Sequence, residues 1–209
     1  MIKIDTMALG DYQTNCYIVR DALSKSCAVI DPGYEPDMIL AFLHKEGLTL
    51  DAILLTHGHF DHVGAVRALV RATGCKVWMR EGDYSQFRNP TNLYFYPLAN
   101  CEDLEINLCE DGEAISAGGL TFHVMETPGH TWGSVCYLCQ DAMFSGDTLF
   151  QDCCGRTDLE TGSLDDILRS LKRLAELPGN YRVFPGHEGF SSLDYERSYN
   201  PYIREAMRR

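Results

Sequence analysis

The chain has 209 residues, 45% of them hydrophobic and 23% charged, which is the balance of an ordinary globular protein. Its formal net charge of -12 would repel a polyanion and therefore argues against nucleic acid as a partner. The charged residues Lys3 and Asp5 interrupt the first apolar residues, and no apolar run is as long as a membrane span. We therefore expect a cytoplasmic protein without a signal peptide or a membrane segment.

Short segments rich in β-branched and aromatic residues, each bounded by turn residues, predict β-strands. In chain order they are Thr14–Val19, Cys27–Asp31, Ala52–Thr56, Lys76–Met79, Leu120–Glu126, Val135–Cys139, Ala142–Ser145 and Arg182–Phe184. Helical segments alternate with them at Pro36–Glu46, His62–Thr73 and Leu164–Leu177, and from about Leu193 to Met207, where Pro201 starts or kinks a turn. This alternation predicts an α/β protein with sheets covered by helices.

The segment Arg88–Asp103 differs from the rest, because it is rich in aromatic residues, contains two prolines and has no clear periodicity. A loop of that length in a compact domain is often a functional lid. The aromatic residues of this region are therefore candidates for the wall of a substrate pocket, with simple loop packing as the alternative: Phe87, Tyr94, Phe95 and Tyr96.

Nine cysteines without a secretion signal indicate a reducing compartment. Cys136 and Cys139 have a C-x-x-C spacing within a predicted strand, where residues three apart point to opposite faces. We therefore do not expect them to share a metal ion. The adjacent Cys153 and Cys154 are either packed thiols or a redox pair.

The most informative stretch runs from a strand end into a helix and contains four ligand-type side chains within six residues. His57 and His59 are two apart and project to one face at the strand end, whereas Asp61 and His62 fall in the turn that enters the helix, offset towards a neighbouring ion. In a plain core these polar groups would each cost about 1–3 kcal/mol if unpaired. The cluster therefore predicts a metal site.

Three further ligand-type residues, His130, Asp147 and His187, each follow a short apolar strand and are each preceded by glycine. Glycine permits the tight turn and close backbone approach that such a site needs. Imidazoles with a few carboxylates suit zinc, iron or manganese better than magnesium or calcium. His44 and His123 lie mid-helix and mid-strand without ligand-type neighbours, and we interpret them as ordinary surface or core residues.

With these seven residues in place, the chain resembles the metallo-β-lactamase superfamily and, more narrowly, the short bacterial form of the glyoxalase II-like hydrolases. The resemblance extends over about residues 12–201. The H-x-H-x-D-H element together with the three later ligands is specific for the superfamily and much less specific for the substrate. The supporting segments are Asp31-Pro32-Gly33, Pro128-Gly129-His130-Thr131-Trp132-Gly133-Ser134, Ser145-Gly146-Asp147-Thr148-Leu149-Phe150, Gly155-Arg156-Thr157-Asp158 and Pro185-Gly186-His187.

The resemblance implies a four-layer αββα sandwich, in which two mixed β-sheets pack face to face with helices outside. It also implies one such domain over residues 1–209, without the C-terminal helical domain by which full-length glyoxalase II enzymes bind glutathione. Two divalent metal ions are expected, zinc in first place and iron or manganese as alternatives. Their implied ligands are His57, His59 and His130 for the first ion and Asp61, His62 and His187 for the second, with Asp147 bridging.

By the same resemblance, the expected reaction is hydrolysis of a small-molecule thioester of the S-acyl-glutathione type by a hydroxide shared between the metals. Asp61 and Asp147 then act mainly as ligands and secondarily as proton handlers. Asp31 either orients a ligand imidazole from behind or is simply the turn aspartate before Pro32. Arg156 either contacts an anionic substrate or pairs with Asp158, which stands where glyoxalase II enzymes typically have an aromatic residue.

Other reactions remain open at this point, because similar folds host different chemistries. Persulfide dioxygenases share the seven ligand residues and a closely similar Gly-Arg-Thr-Asp segment, but use a single iron held by the equivalents of His57, His130 and Asp147. A lactonase or a β-lactamase is a second alternative. A non-catalytic member of the fold is disfavoured, since no ligand position is missing.

Overall fold

A computed structural model describes residues 1–87 and 104–209, with side chains for all of these except residues 85–87. Its first sheet has six strands in chain order, antiparallel at β1–β2–β3 and parallel from β3 to β6. Crossover helices make the parallel pairing possible. The strands are β1 (Ile2–Leu9), β2 (Thr14–Asp21), β3 (Ser26–Ile30), β4 (Thr49–Leu54), β5 (Lys76–Arg80) and β6 (Ile106–Cys109).

The second sheet also has six strands, in the spatial order β14-β13-β10-β9-β8-β7, and a separate two-stranded ribbon pairs β11 with β12. All neighbours in this sheet are antiparallel except β10 and β13, which are parallel. The strands are β7 (Ala114–Ala117), β8 (Leu120–Glu126), β9 (Val135–Cys139), β10 (Ala142–Gly146), β11 (Leu149–Phe150), β12 (Cys153–Cys154), β13 (Arg182–Pro185) and β14 (Ser191–Ser192).

The helices begin and end at residues suited to those positions. Pro36 occupies the first turn of α1, and Gly47 closes that helix in a left-handed conformation. The side chains of Ser163 and Asn200 accept hydrogen bonds from backbone amides in the first turns of α5 and α7. The helices are α1 (Pro36–Glu46), α2 (Phe60–Val63), α3 (Val66–Thr73), α4 (Glu81–Phe87), α5 (Leu164–Ala175), α6 (Leu193–Tyr199) and α7 (Pro201–Ala206).

Three apolar clusters separate four layers. The central cluster lies between the sheets and includes Tyr17 of the first sheet with Tyr137 and Phe144 of the second. A second cluster packs α1 and α3 on the outer face of the first sheet, and a third packs α5 and α7 on the outer face of the second. This is the αββα sandwich of two mixed sheets expected from the sequence. None of the helices described is long and apolar enough to cross a membrane.

The cysteines follow the strand geometry. Cys136 belongs to the outer cluster of the second sheet and Cys139 to the central cluster, so the two point to opposite faces, as predicted. Cys154 is buried, and its burial raises the pKa of the thiol to about 12, whereas Cys153 is half-buried. A raised thiol pKa disfavours the thiolate that redox chemistry requires.

Most predicted elements agree with the structure, but the helix predicted at His62–Thr73 is wrong as a single element. It is divided into α2 and α3 at Gly64 and Ala65, because the loop after β3 packs against this point. Ala65 N donates to Pro32 O at 3.0 Å, and a Cβ on Gly64 would lie only 2.3 Å from Gly33 O. The division keeps α2 as a separate turn beside the strand end.

Candidate metal centre

The strands bring the predicted ligand residues to one edge of the sandwich. His57 and His59 follow β4, and α2 carries Asp61 and His62. β8, β10 and β13 run in the same direction, so their carboxyl ends meet at this edge. The turns after these three strands hold the remaining residues, which are His130, Asp147 and His187.

Three imidazoles form what we call the first ligand group: His57, His59 and His130. One nitrogen from each lies within 4.8 Å of the others, and His59 Nδ1 is 2.9 Å from His130 Nε2. His57 Nε2 is buried without a hydrogen-bond partner among the described residues. Burial lowers the pKa of His57 well below its usual range and, with the nearby His130, lowers that of His59 to about 3. Neutral buried imidazoles with nitrogens facing each other are suited to binding a cation.

The second ligand group consists of Asp61, His62 and His187, whose ligand atoms also lie within 4.8 Å of one another. His187 Nε2 is 3.2 Å from Asp61 Oδ2 and 3.3 Å from His62 Nε2. Burial would lower the pKa of His62, but the carboxylates of Asp147 and Asp61 raise it well above its usual range. In this group the carboxylate of Asp61 therefore lies directly beside the imidazoles and stabilises positive charge on them.

The carboxylate of Asp147 lies between the two groups. Its Oδ2 is 3.4 Å from His130 Nε2 and 3.6 Å from His187 Nε2, while its Oδ1 is 3.4 Å from His62 Nε2. Burial would raise the pKa of this carboxyl, but the imidazole of His62 holds it well below its usual range. One ionised side chain thus reaches both groups.

Several imidazoles form hydrogen bonds through Nδ1 on the side away from the cluster, and these bonds direct Nε2 towards the cluster. His62 Nδ1 donates to Asp31 Oδ2 at 2.9 Å, and Asp31 also accepts from the Thr56 hydroxyl at 2.6 Å. His130 Nδ1 donates to the backbone oxygen of Arg156 at 2.8 Å, and His187 Nδ1 lies 3.2 Å from the backbone oxygen of Tyr12. Asp31 therefore contacts the imidazole of a predicted ligand, and its role in orienting that imidazole stays a prediction.

Two supporting residues were not predicted from the sequence. Asn15 Nδ2 donates to the backbone oxygens of Pro185 and Glu188, both at 3.1 Å, and so spans the turn that carries His187. A polar pair, Thr14 and Asn15, at the start of a buried strand is a signal that could have identified Asn15. Asp83 in α4 is fully buried, and burial raises the pKa of its carboxyl. Nothing in the sequence around Asp83 indicates this position.

The residues expected to contact the substrate are Arg156 and four aromatic residues, and that contact stays a prediction. Arg156 forms a bidentate ion pair with Asp158, at 2.7 and 2.8 Å, on the exposed surface. Phe87 ends α4, but its side chain is not among those described. Three further candidates fall outside the described residues, namely Tyr94, Phe95 and Tyr96.

Comparison with known proteins agrees with this geometry. The model of the metallo-beta-lactamase superfamily matches residues 9–187. The probable polyketide biosynthesis zinc-dependent hydrolase BaeB of Bacillus velezensis is 39% identical, over 82% of this chain and 72% of its own length. A hydroxyacylglutathione hydrolase of Pseudomonas entomophila is 37% identical over 100% of this chain and 75% of its own length. Hydroxyacylglutathione hydrolase GloC of Haemophilus influenzae is 30% identical, over 97% and 98%.

Solved structures give the same assignment. The B3 metallo-beta-lactamase BLEG-1 superposes with a TM-score of 0.85 at 33% identity, over 97% of this chain and 99% of its own. TTHA1623 in a di-iron-bound form has a TM-score of 0.82 at 35% identity, over 95% and 99%. ETHE1 from Myxococcus xanthus has a TM-score of 0.81 at 30% identity, over 98% and 87%. With this fold and its clustered His and Asp groups, the chain belongs to the metallo-beta-lactamase superfamily of metal-dependent hydrolases.

Proposed function

We propose that this protein is a hydrolase that holds two divalent cations, zinc in first place, and cleaves thioesters of the S-acyl-glutathione type. Its main support is the arrangement of two groups of three ligand atoms on either side of the Asp147 carboxylate. The first ligand group would hold one cation and the second ligand group the other, with Asp147 between them. His57 Nε2, which is buried without a hydrogen-bond partner in residues 1–87 and 104–209, and the mixed imidazole and carboxylate donors fit zinc, iron or manganese.

Cations held by these residues would lower the pKa of a bound water to about 7 and so would supply a nucleophile at neutral pH. The protein's own residues provide the setting for that chemistry. Asp61 and Asp147 carry the negative charge of the site, because neighbouring imidazoles keep the pKa of both carboxyls low against the effect of burial. Asp31 keeps His62 Nε2 directed at the cluster through its hydrogen bond to Nδ1. No serine or cysteine nucleophile is required.

A thioester substrate is supported by the two relatives whose names are hydroxyacylglutathione hydrolase, at 37% and 30% identity. The thioester carbonyl is an electrophile that a hydroxide attacks, and the departing thiolate is a good leaving group. Arg156 is the residue we assign to contact with an anionic part of the substrate, in competition with its ion pair to Asp158.

Metal analysis followed by a turnover assay tests this function. Protein purified without added metal should contain close to two divalent cations per chain, and it should release thiol from an S-acyl-glutathione faster than it opens a lactone or a β-lactam. Treatment with a chelator should abolish thiol release while the circular dichroism spectrum remains that of a folded protein. A metal-loaded protein that opens a β-lactam or lactone faster than it releases thiol would contradict the thioester assignment.

A second candidate is an oxygen-consuming persulfide dioxygenase. It is favoured by the Gly155-Arg156-Thr157-Asp158 segment and by the structural likeness to ETHE1 from Myxococcus xanthus. That chemistry requires a single iron, for which His57, His130 and Asp147 would suffice. One iron per chain together with oxygen uptake on addition of glutathione persulfide would establish this reaction in place of hydrolysis.

A further inference from the structure

A buried carboxylate outside the ligand cluster connects two separate loops of the metal centre. Asp83 Oδ2 accepts hydrogen bonds from Gly58 N and from the Thr131 hydroxyl, each at 2.8 Å. Asp83 Oδ1 accepts a third from Gly133 N, also at 2.8 Å. Three donors around one fully buried side chain require an acceptor at both oxygens, which an ionised carboxylate provides.

The loops that Asp83 connects carry the first ligand group. Gly58 separates His57 from His59 in the chain, and Thr131 directly follows His130. The distance between the His59 and His130 nitrogens, 2.9 Å, therefore depends on how closely these loops are held together. Within the described part of the chain, Asp83 makes no hydrogen bond to the turns of the second ligand group, whose imidazoles have the supports described above.

Helix α4 also packs against the second of these loops without intervening side chains. A Cβ on Gly82 would lie 2.8 Å from the carbonyl carbon of Trp132, and a Cβ on Gly133 would lie 2.4 Å from Asp83 N. Real Cβ atoms do not approach other atoms so closely, so both positions require glycine. Helix and loop backbones are therefore in direct contact, and the carboxylate of Asp83 is presented to its donors from the first turn of a helix.

We infer that Asp83 is a positioning residue for the first ligand group. Given the two-cation function proposed above, it holds His57, His59 and His130 in the arrangement that binds one cation, and leaves the other cation to the second ligand group. Asp83→Asn tests this because the side chain keeps its size. One oxygen then becomes an amide nitrogen that faces a donor, so at least one loop amide or hydroxyl loses its partner.

Zinc titration of the metal-free protein against a chromophoric chelator gives the two affinities separately. In Asp83→Asn we expect one affinity to fall by roughly tenfold to a hundredfold, as when the groups that orient metal ligands are removed, and the other to stay unchanged. Nitrogen NMR of the histidine rings should show that the weakened imidazoles are those of the first ligand group. This readout does not depend on turnover.

Glu196→Gln is a matched control for the loss of a buried charge. Glu196 is also fully buried and accepts hydrogen bonds from Asp152 N at 3.0 Å, from Asn200 Nδ2 at 2.8 Å and from the Ser191 hydroxyl. We expect this variant to lower the unfolding temperature, as Asp83→Asn does, while both zinc affinities remain those of the wild type. Equal weakening of zinc binding in the two variants would show that Asp83 acts only through general stability.

A milder pair of variants keeps the test decisive if Asp83→Asn does not fold. Thr131→Val removes the hydroxyl that donates to Asp83 and should weaken the first ligand group, whereas Thr131→Ser retains the hydroxyl and should restore its affinity. Unchanged zinc binding in Thr131→Val, or equal loss at both groups, overturns the positioning role. If the wild-type protein binds a single zinc ion, the two-cation function is contradicted instead. Loss of that ion in Asp83→Asn would still support the positioning role of Asp83.

Discussion

The metal centre is assembled in two different ways on its two sides. Four ligand-type residues come from the short segment between His57 and His62, whereas His130, Asp147 and His187 come from three separate turns of the second sheet. In the short segment, a strand end and one helical turn set the spacing locally. The three separate residues meet only because distant backbones approach each other closely, so tertiary packing determines their positions.

The close approach is visible in the glycines of the second-sheet turns. Gly186 N donates to Gly146 O at 2.8 Å, which continues the pairing of β10 and β13 into the site. A Cβ on Gly186 would lie 2.2 Å from Asp147 Oδ1, and a Cβ on Gly155 would lie 1.9 Å from the backbone oxygen of Asp147. Glycine is therefore required where the scattered ligands meet, and small changes there should have large effects.

Replacement of Asp147 by alanine should have the largest effect. The Asp147 carboxylate lies 3.4 Å from both His62 and His130 and so reaches both ligand groups; in the proposed two-cation site its loss would remove a ligand from each cation. We expect thioester hydrolysis to fall by about three orders of magnitude, as the charge stabilisation supplied by the cations is worth several kcal/mol. Metal content should fall with it, while circular dichroism shows a folded protein. Asp141→Ala, which removes an exposed carboxylate paired with Arg182, is the control and should retain activity.

Gly186→Ala should have the next largest effect, with Gly189→Ala as its control in the same turn. The new methyl group at position 186 would lie 2.2 Å from Asp147 Oδ1 and 2.6 Å from His62 Cε1, whereas at position 189 it meets only Gln151 Oε1 at 3.7 Å. We expect activity and metal affinity to fall by up to about a hundredfold in the first variant, with a corresponding loss of bound metal, because the methyl group displaces residues that orient the site. Wild-type metal content in Gly186→Ala would show that these atoms can move apart freely.

The same contrast explains what could be predicted from the sequence. The strand and turn pattern around His57–His62 is local, so the ligands there could be recognised from spacing alone. His130, Asp147 and His187 could be recognised as strand-end residues after glycine, but their convergence required the order of strands in the second sheet. Strand β1 was not predicted, because an edge strand with Lys3 and Asp5 has a weak apolar pattern.

Asp83 could not have been predicted by the same reasoning. Its partners, Gly58, Thr131 and Gly133, are distant in the chain and two of them contribute backbone amides, which every residue except proline has. A buried carboxylate of this kind has no sequence motif. The division of the helix at Gly64 was missed for a related reason, since it depends on contact with the loop after β3.

Asn15→Ala should have a smaller effect, confined to the residues that come from separate turns of the second sheet. The amide of Asn15 holds the backbone oxygens on both sides of His187, and its removal leaves the Glu188 oxygen without this donor. We expect the free energy of unfolding to fall by about 1–3 kcal/mol and zinc affinity of the second ligand group to fall by roughly tenfold. Gln13→Ala removes a similar bond, to Gly10 O at 2.8 Å, in the neighbouring exposed turn. Zinc binding that weakens equally in both variants would argue against a specific role for Asn15.

Arg156→Gln should have the smallest effect, because the hydrogen bond of His130 to residue 156 is made to the backbone oxygen. Any residue supplies that oxygen, so metal content and the rate constant kcat should stay at wild-type values, whereas KM should rise only for a substrate with an anionic thiol portion.

The ion pair with Arg156 lowers the pKa of Asp158 from 3.8 to about 2, so its contribution to stability is present above pH 4 and is lost as the pH falls towards 2. In Arg156→Gln, the pKa of Asp158 should return towards its ordinary value, which an NMR titration of the carboxyl group would measure. A large loss of metal in this variant would instead mean that the side chain, and not the backbone, holds His130 in place.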